Sequence, residues 1–455
     1  MSETGLNRAG RVLGVRQETL LVFAGLMGIT VAAMPACGSD SGSTDTGQSG
    51  SSATAQAGNA GNAPSQAGTG GESGSAEAPS CSASSSTVAN TSEVVDAANA
   101  LNALLTSDQK TAIALDATLA HAQQWSNLPT TAIPRNGVMI GDMSADAQAA
   151  ALALVAVAAG STGSTLFSEL RAADEWLVTD GKAQSDSYGE GRYYFAFIGT
   201  PSKTSTWMLQ VAGHHLAYNF TYNGACTSAT PLFDGVEPTS WTDSDQVTHS
   251  PLETQRASSV AVIAAIADDP DSLLAGTFTD VVNGPSNSNG LGDSRYPTGI
   301  TYPTGSTGRG VLVGGLSDDA RALVKTAIEA WVKNVADPVA NALLDEYESD
   351  AALAQTYVAY SGAKDLTTKN SYFRIDGPRV WIEYTIQGGI VYQSKVHFHT
   401  LWRDKASDYG AEYVNEPATD PTAGTGGATG MGGPPFGNGG GNGPGGPPSG
   451  DAGSN

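Results

Sequence analysis

Hydrophobic spacing divides the middle of this chain into helical and extended stretches. From residue 92, Val94, Val95, Ala98, Leu101, Leu104 and Leu105 recur at i, i+3, i+4 and i+7, the stripe of a helix that buries one face. Ser107 and Asp108 then supply the start signal of a second helix. Residues 145–159 are almost entirely Ala, Leu and Val and predict a core helix. Gly160 breaks the pattern, and an amphipathic helix is predicted over 162–177. The aromatic run at 192–198 and the stretch 207–222 each read as one strand, with Asn223-Gly224 as a hairpin turn. Helical spacing returns at 252–267 and 317–335, and Asp337-Pro338 opens a further helix as its N-cap and first residue. The predicted class is α+β.

The chain also echoes itself. GVMIGDMSADAQ at 137–148 resembles GVLVGGLSDDAR at 310–321, an offset of 173 residues. YFAFIG at 194–199 resembles YVAYSG at 357–362, an offset of 163. WMLQVAG at 207–213 resembles YFRIDG at 372–377 with one gap. Three echoes in the same order predict an internal duplication. Two pseudo-equivalent halves, about 90–250 and 251–416, would each carry helices followed by antiparallel sheet.

Outside about 81–416 the pattern changes. Residues 38–80 are Ser, Gly, Ala and Thr, and 417–455 are Gly and Pro. Neither can bury enough apolar surface to offset chain entropy, so both are predicted to be disordered. Residues 1–37 read as a signal segment. Arg8, Arg11 and Arg16 precede an apolar run at 20–33, which is short for a bilayer span. The run ends in Met34-Pro35-Ala36-Cys37, which resembles a bacterial lipobox although Met34 and Pro35 are unusual there. Cys37 would then be the lipidated first residue. A tether of this composition reaches roughly 35–40 Å root-mean-square. The expected location is the cell envelope: outer membrane, periplasmic face or cell surface, with the membrane as partner through the anchor. Of the three cysteines, Cys81 and Cys226 remain as a predicted disulfide.

A formal charge of −23 repels phosphate backbones, which argues against nucleic-acid binding. Four of the six histidines stand in two motifs, His214-His215 and His397-Phe398-His399. In a strand, His397, His399, Leu401 and Arg403 share one face, so two imidazoles are presented together. Adjacent strand residues face opposite ways, so only one of His214 and His215 is expected to join them. Three imidazoles suit zinc, copper or iron and leave a position for water or substrate. Glu237 is a candidate carboxylate ligand or base, and Glu383 a polar companion. Arg374, Arg379 and Arg403 are candidates for holding an anionic group of a small-molecule or peptide substrate. Asp404 and Asp408 are expected to shape a turn. The alternatives are a metal- or ligand-binding lipoprotein without turnover and a structural surface protein. Nucleophile-elbow, zincin, phosphate-loop and dinucleotide fingerprints are missing from the sequence.

Four segments together resemble the bacterial family of domain of unknown function 3500. They are PRNGV at 134–138; GHHLAYN at 213–219 with PLFDGVEP at 231–238; YFRIDGP at 372–378 with IEY at 382–384; and HFHTLWRD at 397–404 with DYG at 408–410. The resemblance spans roughly residues 101–413. It implies an exported or surface protein and carries no activity with it.

Overall fold

The computed structural model describes residues 90–278, 280–282 and 300–410. The predicted signal segment, Cys37, the 38–80 tether, Cys81 and the 417–455 tail lie outside the described residues.

Eight helices are present among the described residues: α1 (Thr91–Leu104), α2 (Ser107–Ile113), α3 (Leu119–Ala122), α4 (Ala145–Thr179), α5 (Glu253–Ile266), α6 (Asp318–Val332), α7 (Asp337–Tyr347) and α8 (Asp350–Leu353). The strands are β1 (Ala114–Leu115), β2 (Val138–Met139), β3 (Tyr194–Ile198), β4 (Trp207–Gly213), β5 (Leu216–Asn223), β6 (Cys226–Ser228), β7 (Leu232–Val236), β8 (Trp241–Thr242), β9 (Thr248–His249), β10 (Val311–Leu312), β11 (Tyr357–Ser361), β12 (Tyr372–Asp376), β13 (Val380–Gly388) and β14 (Val396–Asp404). The class is α+β, as expected from the sequence. One large sheet runs β1-β3-β4-β5-β7-β14-β13-β12-β11-β10, and its pairings are antiparallel except β1 with β3.

The period-2 alternation of strands gives this sheet two different faces. Leu209, Val211, Tyr218, Phe220, Phe373, Ile382, Tyr384, Phe398 and Trp402 point toward α1, α4, α5, α6 and α7 and form the main core. Each such large apolar side chain contributes roughly 1.5–3 kcal/mol on full burial. The alternate residues, among them Met208, Ala217, Phe233, Tyr372 and Leu401, face the other way. There they meet Trp125, Leu274, Val281, Val282 and Tyr409 from segments without regular structure. The second face also holds Gln210, Asn219, Arg374, Glu383, His397, His399 and Arg403, all buried. The long helices therefore cover the apolar face, and irregular chain with the short α3 covers the polar one.

The two predicted helices around Gly160 are both present and run on as α4, separated by a kink where Gly160 adopts the non-helical φ 67° and ψ −174°. Only glycine takes that conformation without cost. The bend leaves the Ala158 carbonyl to accept a hydrogen bond from the Ala336 N–H at 3.2 Å. By length and hydropathy α4 resembles a membrane span, but Ala151, Leu154, Phe167, Leu170 and Ala173 along it lie in the main core.

Two expectations need correction. Residues 207–222 are two strands, β4 and β5, joined by a turn at His214-His215 where His215 has φ 58°. The continuous β-rich composition concealed it. Ahead of α7 the N-cap is Ala336, so Asp337 is the first helical residue.

The echoing segments occupy comparable positions. Val138 pairs with Phe195, and Val311 with Val358. The Ile140 N–H donates to the Tyr193 carbonyl at 2.7 Å, and the Val313 N–H to that of Thr356 at 2.8 Å. Ser144 caps α4 by accepting from the Ala147 N–H, and Ser317 caps α6 by accepting from the Ala320 N–H. A Cβ on Gly137 would overlap the Phe195 carbonyl, and one on Gly310 the Val358 carbonyl.

Candidate metal centre

β14 places His397 and His399 on the polar face, opposite Gln387 and Thr385 of β13. On its other side β14 pairs with β7, where Gly235 is the partner of His399. A side chain at 235 would lie 3.0 Å from both His215 Cγ and His399 Cδ2. The glycine thus opens the space in which rings from two hairpins meet. The turn between β4 and β5 delivers His215 from the other side. Its N–H donates to the Asn127 carbonyl at 3.2 Å, and its carbonyl accepts from the Gly235 N–H at 2.7 Å. The left-handed backbone of His215 is held at both ends.

The outcome is a triad of His215, His397 and His399, with one nitrogen from each lying within 4.8 Å of the others. Ring centroids are 5.2 Å apart for His215 and His397, 4.9 Å for His215 and His399, and 4.8 Å for His397 and His399. All three are buried, with exposures of 6%, 1% and 2%. Burial, reinforced by the neighbouring imidazoles, drives the pKa of His215 well below its ordinary value and that of His397 down to about 2. His215 and His397 are therefore neutral, the form that binds metal.

Hydrogen bonding leaves specific nitrogens unused. His397 Nδ1 and His399 Nε2 are buried without a partner. The opposite edge of His399 is occupied: its Nδ1 lies 3.1 Å from Asp280 Oδ1 and 3.0 Å from the Gln387 carboxamide. Two orphaned imidazole nitrogens in one buried cluster fit a metal ion, because each otherwise forfeits a hydrogen bond worth about 1–3 kcal/mol. A tetrahedral ion with bonds of about 2.0–2.1 Å needs nitrogens about 3.4 Å apart, a modest inward rotation from the spacing described.

His214 stands outside the triad, as expected for one of the two adjacent histidines. Because both sit in a turn, however, the rings do not diverge. His214 stacks on His215 at 3.7 Å. Its Nδ1 lies 2.6 Å from Asp174 Oδ1 on α4, and Tyr188 meets its ring edge-on at 4.8 Å.

The other candidates have different partners. Glu237 is not in the triad. Its Oε1 accepts the N–H groups of Ile390, Val391 and Tyr392 at 2.9, 2.9 and 2.8 Å and so pins the β13–β14 turn. Three successive N–H groups converging on one oxygen are a structural anchor. Arg403 shares the histidine face of β14 but donates to Asp408 at 2.7 Å and to the Val282 carbonyl at 3.4 Å. Arg379 pairs with Asp404 at 2.8 Å, and Arg374 donates to the carbonyls of Gly308 and Arg309. Asp404 accepts the N–H groups of Ala406 and Ser407, the turn-forming role expected of it. Glu383 accepts from the Tyr372 hydroxyl at 2.6 Å and the Trp381 Nε1 at 2.7 Å. Burial pushes its pKa up to about 7. Cys226 is buried and disulfide-bonded, while Cys81 lies outside the described residues.

Asn127, Asp174 and Asp280 were not apparent from the sequence. They lie far along the chain from the histidines they touch, and their local sequence carries no spacing signal.

Residues 87–411 match the family described as "Protein of unknown function (DUF3500)". The chain belongs to that family. No curated protein and no solved structure matches this DUF3500 member. The GHH turn and the H-x-H strand through which the sequence resembles the family are the segments that supply the triad.

Proposed function

We propose that this DUF3500 protein is an exported metalloprotein in which His215, His397 and His399 bind one first-row transition ion: zinc, copper or iron. The observation that carries the reading is the pair of orphaned nitrogens, His397 Nδ1 and His399 Nε2, inside a cluster of buried imidazoles. Imidazoles of His215, His397 and His399 would hold a divalent ion without cancelling its charge, and the chemistry supplied there would be Lewis-acid polarisation of a water or small substrate. Such a donor set favours a reactive centre over a closed structural one. Glu237 and Arg403 are not offered as catalytic groups.

The test is metal content of full-length protein purified without chelator, compared with His397→Ala. One equivalent in the wild type and none in the variant supports the centre. Equal content in both, or none in either, refutes it.

Two further elements complete the reading. The segment ending at Cys37 anchors the protein to the cell envelope through lipid, supported by the basic, apolar and lipobox-like order of residues 8–37. Cys37→Ser would move the protein into the soluble fraction; unchanged membrane association would sink the anchor. The two halves descend from one duplicated unit, supported by the matched pairings and caps around Gly137 and Gly310.

A further inference from the structure

Three features near the triad are linked by Asn127. Its backbone carbonyl accepts the His215 N–H at 3.2 Å. Its side-chain Nδ2 donates to Asp280 Oδ2 at 3.3 Å. The second Asp280 oxygen, Oδ1, lies 3.1 Å from His399 Nδ1 and also accepts the Val281 N–H at 2.7 Å. One asparagine therefore touches the turn carrying His215 and, through one carboxylate, the ring of His399. Asn127 is 5% exposed and Asp280 9%.

A carboxylate facing an imidazole nitrogen at this distance requires a hydrogen between them, since two lone pairs would repel. Asp280 thus places the His399 proton on Nδ1 and leaves Nε2 as a bare donor. Gln387 is compatible with this arrangement. Its carboxamide oxygen and nitrogen exchange places by a half-turn about the last side-chain bond, which presents the oxygen to the same N–H. The alternative, Gln387 donating to a bare Nδ1, would set the Asp280 oxygen against a lone pair and aim an N–H into the triad.

We propose that Asp280 and Asn127 are the positioning residues of the metal centre: Asp280 fixes the proton of His399 on Nδ1 so that Nε2 faces the ion, and Asn127 holds Asp280 and the His215 turn in one register. The inference rests on the metal reading for its consequence, but the proton position exists without metal. Outer partners of this kind orient and polarise ligating histidines, and losing one typically weakens metal binding 10–100-fold.

The experiment uses full-length protein with histidines labelled in the ring, together with Co²⁺ as the probe. In metal-free wild type, nitrogen and carbon shifts of His399 should report the Nδ1–H tautomer. Asp280→Asn replaces an acceptor by a group able to donate, so His399 should move to Nε2–H. Its Co²⁺ affinity, read from the visible bands in competition with a chelator, should fall about 10–100-fold. Asn127→Ala should change affinity in the same direction by a smaller factor. An Nε2–H tautomer in the wild type overturns the proposal, as does an Asp280→Asn affinity within about twofold of wild type. If the wild type binds no Co²⁺, the metal reading falls, and the tautomer alone then upholds or overturns the role of Asp280. The wild-type tautomer also decides the case should a variant not fold.

Discussion

The turn between β4 and β5 and the turn between β12 and β13 hold comparable places in the two arms of the sheet, yet they are fixed by different chemistry. Gln210 pairs across to Asn219 in one arm, and Arg374 to Glu383 in the other. At the second turn every nearby charge has a partner. Asp376 takes Arg309 at 2.6 Å and Lys405 at 2.5 Å, and Asp404 takes Arg379 at 2.8 Å and the Tyr347 hydroxyl at 2.7 Å. At the first turn, buried imidazoles gather and two of their nitrogens have no partner. Charges that pair with one another offer no lone pair to a metal ion and do structural work. Imidazole nitrogens without a partner do offer one. Arg403, on the histidine face of β14, lies toward the ion-paired end, against Asp408.

The largest effect that tests this contrast is expected at the ion-paired turn. Asp404→Ala removes a buried carboxylate that pairs with Arg379, accepts from the Tyr347 hydroxyl and accepts two backbone N–H groups, and should cost about 3–5 kcal/mol in denaturant unfolding while leaving metal content unchanged. Loss of metal without loss of stability would reverse the roles assigned to the two turns. Next come Gly137→Ala and Gly310→Ala. Each puts a Cβ into a strand carbonyl at positive φ, and each should destabilise by about 3 kcal/mol. Very unequal costs would count against comparable halves. Saturating wild type with zinc at about 100 times its dissociation constant should stabilise it by about 2.7 kcal/mol, an increment absent in His397→Ala.

The smallest effect is in the pH profile of the metal-free protein. His215 and His397 titrate below their ordinary value of 6.5, so the unfolded chain takes up protons first. Their contribution is complete above about 6.5 and is lost as the pH falls. Glu383 behaves oppositely. Its folded pKa is about 7 against an ordinary 4.5, so its contribution is complete below about 4.5 and is lost as the pH rises toward 7. Glu383→Gln should flatten the alkaline-side loss and His397→Ala the acid-side loss. A single variant that flattened both would show that the two ends are not independent.

Much of this contrast was legible in the sequence. Strand periodicity fixed the shared face of His397, His399, Leu401 and Arg403, and the Gly160 break marked the bend in α4. The echoes identified which segments would occupy comparable places. What could not be read is what crosses between distant segments. A turn hidden in a continuous β-rich run looks like strand, because Gly213, His214 and His215 carry no standard turn pair. Glu237 reads as a free carboxylate until three N–H groups from a hairpin more than 150 residues away close on it. Asp174 and Asp280 are ordinary acids by composition, and only tertiary placement sets them against His214 and His399.

Among the described residues, the strand bearing His397 and His399 is the last of the sheet in sequence, and it lies at the centre, between β7 and β13. Every earlier strand can be made before the two arms are joined. A nascent or threading chain that stops short of residue 396 therefore has two half-sheets with bare inner edges, and its imidazole cluster has a single member. The strand that closes the sheet is thus also the strand that completes the triad. Truncation before residue 396 would therefore remove two of the three imidazoles together with the strand that joins the arms.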